Sequence, residues 1–520
     1  MENNKNLVLD VNENPKKLSH WLLFAFQHIL AMLVACITVP LITGMPIAAT
    51  LIAAGIGTIC YLLFTKQKSP VFLSSSFAYL APMSSALAVG LVNNAAGQNY
   101  LGLILGMAMV GLVYVLVALI IKLVGTNWIN KLLPPVVVGP IIMVIGLGLA
   151  GSAVSNLTKA SASGQSYNLL ALFCGLIALI VTALASHYGE GKTISLIPFV
   201  CGMGAGYISA VLITLIGYTW LGNTACNIVN FTPLTSLFTK ENIGLSSFFN
   251  YNLFVPNHEE SFIILRFEEI SKFNWAEIGT IALLFIPVAF VTICEHIGDH
   301  KNLGNIINKD LLNEEPGMTR TLLGDGIATA ISGAMCGAAN TTYGENVAVI
   351  GTTKIASVKV VLLAALMTVI IGFVTPFTAL LSTIPSCVTG GVSLILYGFI
   401  ASSGVKMLIQ EKVNFSSSRT IFITSVILVA GIGGLTLQLF PQFTTNLVTE
   451  YTTLENFLTI KDTLVNVNAT EFVNLTEGVI VKYTHEVTTL AKYSLTITSI
   501  AIAMFLGIFL NAILKEKKEN

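Results

Sequence analysis

The feature that most constrains this chain is a succession of long apolar runs. They cover residues 21–42, 46–64, 71–92, 101–124, 135–153, 169–185 and 196–216. Past a polar stretch that reaches about residue 277, they resume at 278–298, 321–335, 340–355, 358–381, 387–408, 420–439 and 495–514. A helix that crosses the hydrocarbon layer of a membrane needs roughly 20 mainly apolar residues, and many of these runs reach that length. Only 10% of the 520 residues are charged and 54% are hydrophobic, whereas soluble domains carry about 25% charged residues. That leaves too little polar surface to cover a water-soluble body. The expected fold class is therefore an all-α polytopic membrane protein of about 14 segments, seven on either side of the polar stretch.

Charge placement predicts the topology. Lys66, Lys68, Lys122, Lys131, Lys192, Lys301, Lys309, Arg320, Lys354, Lys406, Lys412 and Arg419 fall in loops that share one side. Lys16 and Lys17 of the N-terminal tail and Lys515, Lys517 and Lys518 of the C-terminal tail belong with them. Opposite loops such as 94–100 hold neither Lys nor Arg. The positive-inside rule makes the basic side cytoplasmic, with both termini there and the protein in the plasma membrane. Residues 1–19 are polar, with no short apolar core before a cleavage site, and read as a cytoplasmic tail. Insertions at about 217–277 and 441–492 then fall outside the cell. The second holds two Asn-x-Thr sequons, at Asn468 and Asn474, which need not be used.

Formal net charge is zero, so no basic footprint calls for nucleic acid. The 8 cysteines form no CxxC pair. Most, such as Cys36, Cys174, Cys201 and Cys294, lie in apolar runs and read as buried packing thiols, with no metal site or cofactor expected. With only 7 histidines and no nucleophile constellation, an enzyme is not expected.

The two halves echo each other. Leu133-Pro134-Pro135-Val136-Val137-Val138-Gly139 matches Ile384-Pro385-Ser386-Cys387-Val388-Thr389-Gly390. Ser74-Ser75-Ser76-Phe77-Ala78 in the third run and Thr341-Thr342-Tyr343-Gly344-Glu345 in the tenth both set small hydroxyl residues before an apolar stretch. An odd number of segments per half inverts the second copy, giving a first repeat at 20–216 and a second at 278–514. Such repeats with interrupted helices point to a secondary transporter whose site lies near the bilayer midplane. The third and tenth runs are too polar at their starts for simple spans, and each is expected to be a short strand leading into a half-helix. Irregular backbone at that depth is tolerated only inside protein or along a wet cavity. The positive ends of the two half-helices would meet there and donate to ligand oxygens.

Carboxylates in apolar runs cost about 2.5–3.5 kcal/mol at a helix centre and are functional by default. Glu295 closes an uncharged run and Glu345 lies within the tenth. The competing reading for each is a buried structural acid. Asp299 sits one turn after Glu295 on the same face, where it is either functional or already at the cytoplasmic boundary. Asp325 starts the ninth run and either works or caps it. His28 reads as a packing group or a proton relay.

These residues fall into motifs with a familiar order. Gln27-His28 with Pro40 comes first, then Phe72-Leu73-Ser74-Ser75-Ser76-Phe77-Ala78, then Glu295-His296-Ile297-Gly298. Leu323-Gly324-Asp325-Gly326 and Asn340-Thr341-Thr342-Tyr343-Gly344-Glu345-Asn346 follow. The pattern resembles the nucleobase/ascorbate transporter family (nucleobase:cation symporter 2), and the TTYGEN version looks like its uracil permease branch. The resemblance implies two inverted repeats of seven segments. Segments 1–4 and 8–11 would form a core domain, segments 5–7 and 12–14 a gate domain, and two chains a homodimer. It further implies proton-coupled uptake of uracil by an elevator-like movement of core against gate. Carried over by motif, Glu295 and Glu345 would bind uracil, the backbone of Phe77 and Gly344 would contact its oxygens, and Tyr343 and Ala35 would line the pocket. Tyr397 would approach from the gate. Glu295 and Glu345, with Asp299 and His28 as further candidates, would handle the proton. The chemistry suits uracil, whose two N–H donors meet carboxylates and whose two carbonyls meet backbone N–H groups.

Two positions depart from the branch. Asp299 stands where His is usual, and Val347-Ala348 follows the Glu-Asn pair where x-Gly is usual, adding a methyl where helices pack closely. Other readings are a xanthine or urate permease of the same family, an anion carrier of the related sulfate-transporter fold, and a channel. Purine permeases usually carry Gln where Glu345 stands, and an anion carrier would want a positive charge at the site. Gly139, Gly146, Gly390 and Gly391 in the fifth and twelfth runs are expected to permit close sliding of gate past core.

Overall fold

The computed structural model describes residues 7–88, 100–160, 162–189, 197–239, 244–254, 273, 275, 278–453, 456, 458, 465–475 and 478–514. Loop residues 94–99, Lys192, Lys515, Lys517, Lys518 and much of 255–277 lie outside them. The chain divides into two compact units, one of Met1–Leu435 with Thr498–Asn520 and one of Thr436–Ile497.

The larger unit is helical. In chain order it contains α1 (Leu18–Thr43), α2 (Ile47–Phe64), β1 (Leu73–Ser75), α3 (Leu80–Ala88), α4 (Tyr100–Val124), α5 (Pro135–Gly148), α6 (Ala150–Leu157), α7 (Leu169–Tyr188) and α8 (Pro198–Ile213). After the polar stretch come α9 (Ile278–Ile307), α10 (Gly317–Ala334), β2 (Asn340–Thr342), α11 (Gly344–Thr353), α12 (Val358–Gly372), α13 (Thr375–Ser382), α14 (Ser386–Gln410), α15 (Ser418–Ile432) and, last, α16 (Ser499–Ile513). Among the described residues, eight helices are long and apolar enough to cross a membrane. On α4 the large side chains Leu112, Leu116, Leu119 and Leu123 are all exposed. An apolar helix face of that kind suits hydrocarbon rather than water.

Local chemistry sets the ends and breaks. Pro135 occupies the first turn of α5, where its missing N–H leaves no bond unmade. Asn168 caps α7 by accepting from the N–H groups of Leu170 and Ala171. Helix α1 stops at Gly44, whose φ of 78° is the left-handed conformation glycine takes freely. The expected single run 358–381 is instead two helices, because Pro376 in the first turn of α13 cannot continue an earlier helix. The freed backbone is used by the first insertion, where Asn250 N–H donates to Phe373 O at 2.9 Å. The run 135–153 likewise splits, at Leu149.

The helices pack as two sets. One joins α2 to α12, α4 to α10, α1 to α12 and α4 to α9, with α3 against α1, α4 and α9 and α11 against α1 and α9; the other joins α14 to α5 and α7, α7 to α8, and α15 to α5 and α16. Helices α1 and α9 also touch the second set, through α8 and α14 and through α5, α14 and α16 respectively. Glycines of the fifth and twelfth runs do not sit on this seam, contrary to expectation. A methyl on Gly139 would meet Leu408, one on Gly146 Tyr397 O, one on Gly390 Ala153 O, and one on Gly391 Gly175 O. All are contacts inside the second set, where small residues let backbones approach and lock. On the seam itself stands Gly298, whose added Cβ would lie 2.9 Å from Ile142 of α5.

The N-terminal segment is anchored. Ala356 N–H donates to Leu9 O at 2.8 Å and Val358 N–H to Val11 O at 3.1 Å, and Val11 is buried. Residues 8–11 thus run along the link between α11 and α12. Nearby, hydrogen bonds from Lys68 and Lys66 hold the Glu315 carboxyl below the usual glutamate range.

Strands β1 and β2 pair antiparallel, Leu73 opposite Thr342 and Ser75 opposite Asn340. Both are fully buried, so every backbone group needs a protein partner. Hydroxyls from neighbouring helices supply several. Leu73 N–H donates to Thr58 Oγ1 at 3.0 Å, and Thr329 Oγ1 donates to Asn340 O at 2.7 Å. The Asn340 amide donates to Ala53 O at 3.1 Å. Room for that amide exists because residue 57 is glycine; a methyl there would come within 2.2 Å of Asn340 Nδ2. Gly57→Ala should therefore destabilise the protein by about 1–3 kcal/mol, the loss from a buried amide left unbonded. Gly204→Ala, with nothing within 4 Å of the added methyl, should not. Thermal unfolding of both in detergent checks this.

The smaller unit corrects the all-α expectation for the second insertion. It is a three-stranded antiparallel sheet in the order β3 (Leu437–Thr453), β5 (Gly478–Ile497), β4 (Val465–Leu475). Thr453 pairs with Ile480 and Leu475 with Gly478.

Candidate functional site

The strand pair aims two half-helices at one place. Helix α11 begins at Gly344, directly after β2, and α3 begins three residues after Phe77. The first N–H groups of a helix lack intrahelical partners and carry partial positive charge. Those of α11 open beside a pocket of about 20 Å³ lined by Ser75, Phe77, Ile142, Glu295, Gly298, Asp299, Asn302, Thr341, Tyr343, Gly344, Glu345, Phe399, Ile400 and Ser403. A water needs about 10–15 Å³ by this measure, so a six-membered ring fits only if the walls part.

Polar atoms without protein partners cluster at this pocket. Glu295 Oε2, Glu345 Oε1, Thr341 Oγ1 and the Tyr343 hydroxyl are enclosed and bonded to nothing in the chain. Buried polar groups are nearly always paired, so four such atoms around one small pocket mark a place for a polar ligand. Two are carboxylate acceptors, two are hydroxyls, and among the described residues no Lys or Arg lines the wall. Glu345 is buried. Asp299 is buried as well, and its Oδ2 accepts from Thr342 Oγ1 at 2.8 Å, so it lies inside the protein against β2.

Of the residues singled out in the sequence, Glu295, Glu345, Phe77, Gly344, Tyr343 and Asp299 line this pocket. Ala35 and Tyr397 are buried close by without lining it; the Tyr397 ring meets that of Phe77 edge-on, centroids 5.3 Å apart. His28 stands off the pocket and is hydrogen-bonded through Nδ1 to Asn346 Oδ1. Asp325 is not a cap. Helix α10 starts eight residues before it, at Gly317, and Asp325 Oδ2 accepts from His296 Nδ1 at 2.8 Å, both groups buried. Behind them His300 donates from Nδ1 to His296 O and accepts at Nε2 from Tyr61, at 2.8 and 2.6 Å. Ala348, the added methyl, is half-buried and so not fully enclosed by neighbouring helices.

Sequence reasoning missed Asn302, Thr341 and the α14 wall of Phe399, Ile400 and Ser403. For Asn302 a signal was present: Glu295, Gly298, Asp299 and Asn302 follow the i, i+3, i+4, i+7 spacing of one helix face. The α14 wall had none, since it joins the site only through packing.

The model of the Permease family, Xan_ur_permease, matches residues 19–440. Over 436 residues the chain is 38% identical to the uracil permease of Bacillus caldolyticus, covering 84% of this chain and 90% of that protein. It is 34% identical to the uracil permease of Escherichia coli (strain K12) over 427 residues, 82% of this chain and 87% of the relative. Among solved structures, the transmembrane domain of the cyanobacterial bicarbonate transporter BicA shares the fold at a TM-score of 0.53 and 16% identity, over 81% of this chain and 97% of that one. Murine Slc26a9, an anion transporter, matches at 0.53 and 9% identity over 89% of this chain and 72% of its own. With its apolar spanning helices, its fold and these relatives, the chain is a multi-pass membrane transporter and belongs to the Xan_ur_permease family of permeases.

Proposed function

We propose that this protein carries uracil into the cell together with a proton, by an elevator-like movement. One observation carries the reading: two carboxylate oxygens without protein partners, Glu295 Oε2 and Glu345 Oε1, face one pocket beside the first turn of α11. Uracil fits that array. Its ring N–H groups donate to the carboxylates, and its carbonyls accept from backbone N–H at Phe77 and Gly344. Tyr343 sits beside the ring, Ala35 backs the pocket, and Tyr397 closes it from the opposite helix set. A protonated carboxyl travelling with the base balances the charge moved through the bilayer. The relatives named uracil permease support the substrate. Among the described residues no Lys or Arg lines the pocket, which speaks against an anion substrate despite the fold shared with anion transporters.

Reciprocal packing supports fourteen segments in two inverted sevens. Counting β1–α3 and β2–α11 as the third and tenth segments, α2 with α12 answers α10 with α4, and α7 with α8 answers α15 with α16. Adding seven to each number exchanges the pairs. Thr58 holding β1 and Thr329 holding β2 repeat the same relation. The first helix set is then the core that carries both acids, and the second is the gate. On this reading both termini lie in the cytoplasm, on the side of the basic loops.

Uptake of labelled uracil into proteoliposomes, competed by uracil, thymine, xanthine and adenine with and without an inward proton gradient, tests the reading. Accumulation driven by the gradient and displaced by uracil is expected. Preferential displacement by xanthine would move the substrate to purines. In the same assay Glu345→Gln should lose acid-stimulated accumulation while purified protein still binds uracil; accumulation that still follows the gradient would move the proton to another group.

A further inference from the structure

The seam between the two helix sets holds a second, larger cavity of about 520 Å³. Leu41 at the end of α1 forms one wall. Ser152 and Asn156 of α6, Lys159, Ile228 and Asn230 of the first insertion, and residues 382–386 also line it. Helix α14 touches both cavities, with Thr389 facing the large one and Ile400 the carboxylate pocket. Along a helix rising 1.5 Å per residue these positions lie about 16 Å apart. Tyr397 falls between these two positions in the sequence of α14, its ring against Phe77. The two cavities thus share α14 as a wall.

Their chemistry is opposite. The carboxylate pocket offers acceptors, which demand N–H donors from a ligand. Among the described residues no Asp or Glu lines the large cavity, and the one cation is Lys159 at the exposed rim. That ammonium donates to Asn156 Oδ1 at 3.3 Å and forms no ion pair among the described residues. A turn fixes its position, with Ala160 N–H donating to Gln165 O at 3.0 Å and Asn168 N–H to Thr158 O at 2.9 Å. An ammonium beside the Asn156 amide, at the rim of a cavity lined by Ser152, Ser382 and Thr383, favours ligands rich in carbonyl oxygen.

We propose that this cavity is a second, outer binding subsite for planar heterocycles bearing carbonyl oxygens, with the Lys159 ammonium donating to one of them. On the topology proposed above it faces outward, so a base would be read first by its carbonyls and then, past Phe77 and Tyr397, by its N–H groups. This inference rests on reading the carboxylate pocket as a nucleobase site.

The two sites separate with 1,3-dimethyluracil, which keeps both carbonyls and has no N–H. A Ser152→Cys chain in proteoliposomes, treated from outside with a membrane-impermeant maleimide, reports occupancy of the large cavity. Uracil and 1,3-dimethyluracil should both slow labelling, and adding Lys159→Gln should abolish the protection while Lys159→Arg keeps it. In the otherwise unaltered chain Lys159→Gln should raise the KM for uracil uptake roughly tenfold, the loss of one charge-assisted hydrogen bond, with equilibrium binding at the carboxylate pocket unchanged. Labelling that neither compound slows, while uracil is taken up, overturns the subsite and leaves the transport reading intact. Protection by 1,3-dimethyluracil without any uracil uptake would sustain the subsite and sink the transport reading.

Discussion

Glu295→Gln is expected to weaken uracil binding by at least about 100-fold, close to 3 kcal/mol at 1.4 kcal/mol per tenfold. An amide offers one acceptor oxygen where the carboxylate offers two, and it holds no charge to strengthen the bond to a ring N–H. The enclosed Oε2 has no protein partner, so no internal hydrogen bond is broken by the change and folding should be retained. Equilibrium binding of labelled uracil to the purified variant, with thermal unfolding as a control, measures the effect. Near-normal affinity in a folded variant would remove Glu295 from the site.

The second large effect concerns movement. Phe77 and Tyr397 belong to different helix sets and their rings touch, so elevator-like transport must separate them in each cycle. The pocket of about 20 Å³ beside them also has to widen before a ring can enter. A Phe77→Cys, Tyr397→Cys pair joined by a short cleavable thiol crosslinker should lose nearly all uptake and regain it on reduction. The half-buried Cys60 and Cys201 would be replaced first. Crosslinked protein that transports at the uncrosslinked rate would show that the sets do not move apart at this point.

Much of this arrangement was legible in the chain because each signal was local. Apolar runs gave most of the helices, since hydrocarbon tolerates only backbone that satisfies itself. The serines before Phe77 and the threonines before Tyr343 announced where helices break, because runs of small hydroxyl residues favour extended backbone, whose groups Thr58 and Thr329 of neighbouring helices then bond. What was lost depended on distance or on masking by polarity. Helix α9 continues to Ile307, past the end of its apolar run, because Asp299, His300 and Asn302 turn toward protein instead of lipid. The pairs His28 with Asn346 and Tyr61 with His300 join positions 318 and 239 residues apart, and no local pattern marks them. Asp325 looked like a cap because Gly324 and Gly326 flank it. Those glycines instead admit Tyr61 and Tyr114, which an added Cβ would meet at 3.0 and 2.3 Å. The sheet of the second insertion was overlooked because its strands mix polar with apolar residues, alternating in Val465-Asn466-Val467-Asn468-Ala469-Thr470, and so form no long apolar run.

The central claim is that the two carboxylates read the N–H groups of the base. Equilibrium binding of uracil and of 1,3-dimethyluracil to the purified protein, each measured by displacement of labelled uracil, tests it most directly. Uracil should displace fully, and the dimethyl compound, which offers the same carbonyls and no N–H, should compete at least about 100-fold more weakly, the loss of two charge-assisted hydrogen bonds. Equal displacement by the two would mean that Glu295 and Glu345 do not bind the ring nitrogens, and the site would have to be built around other groups.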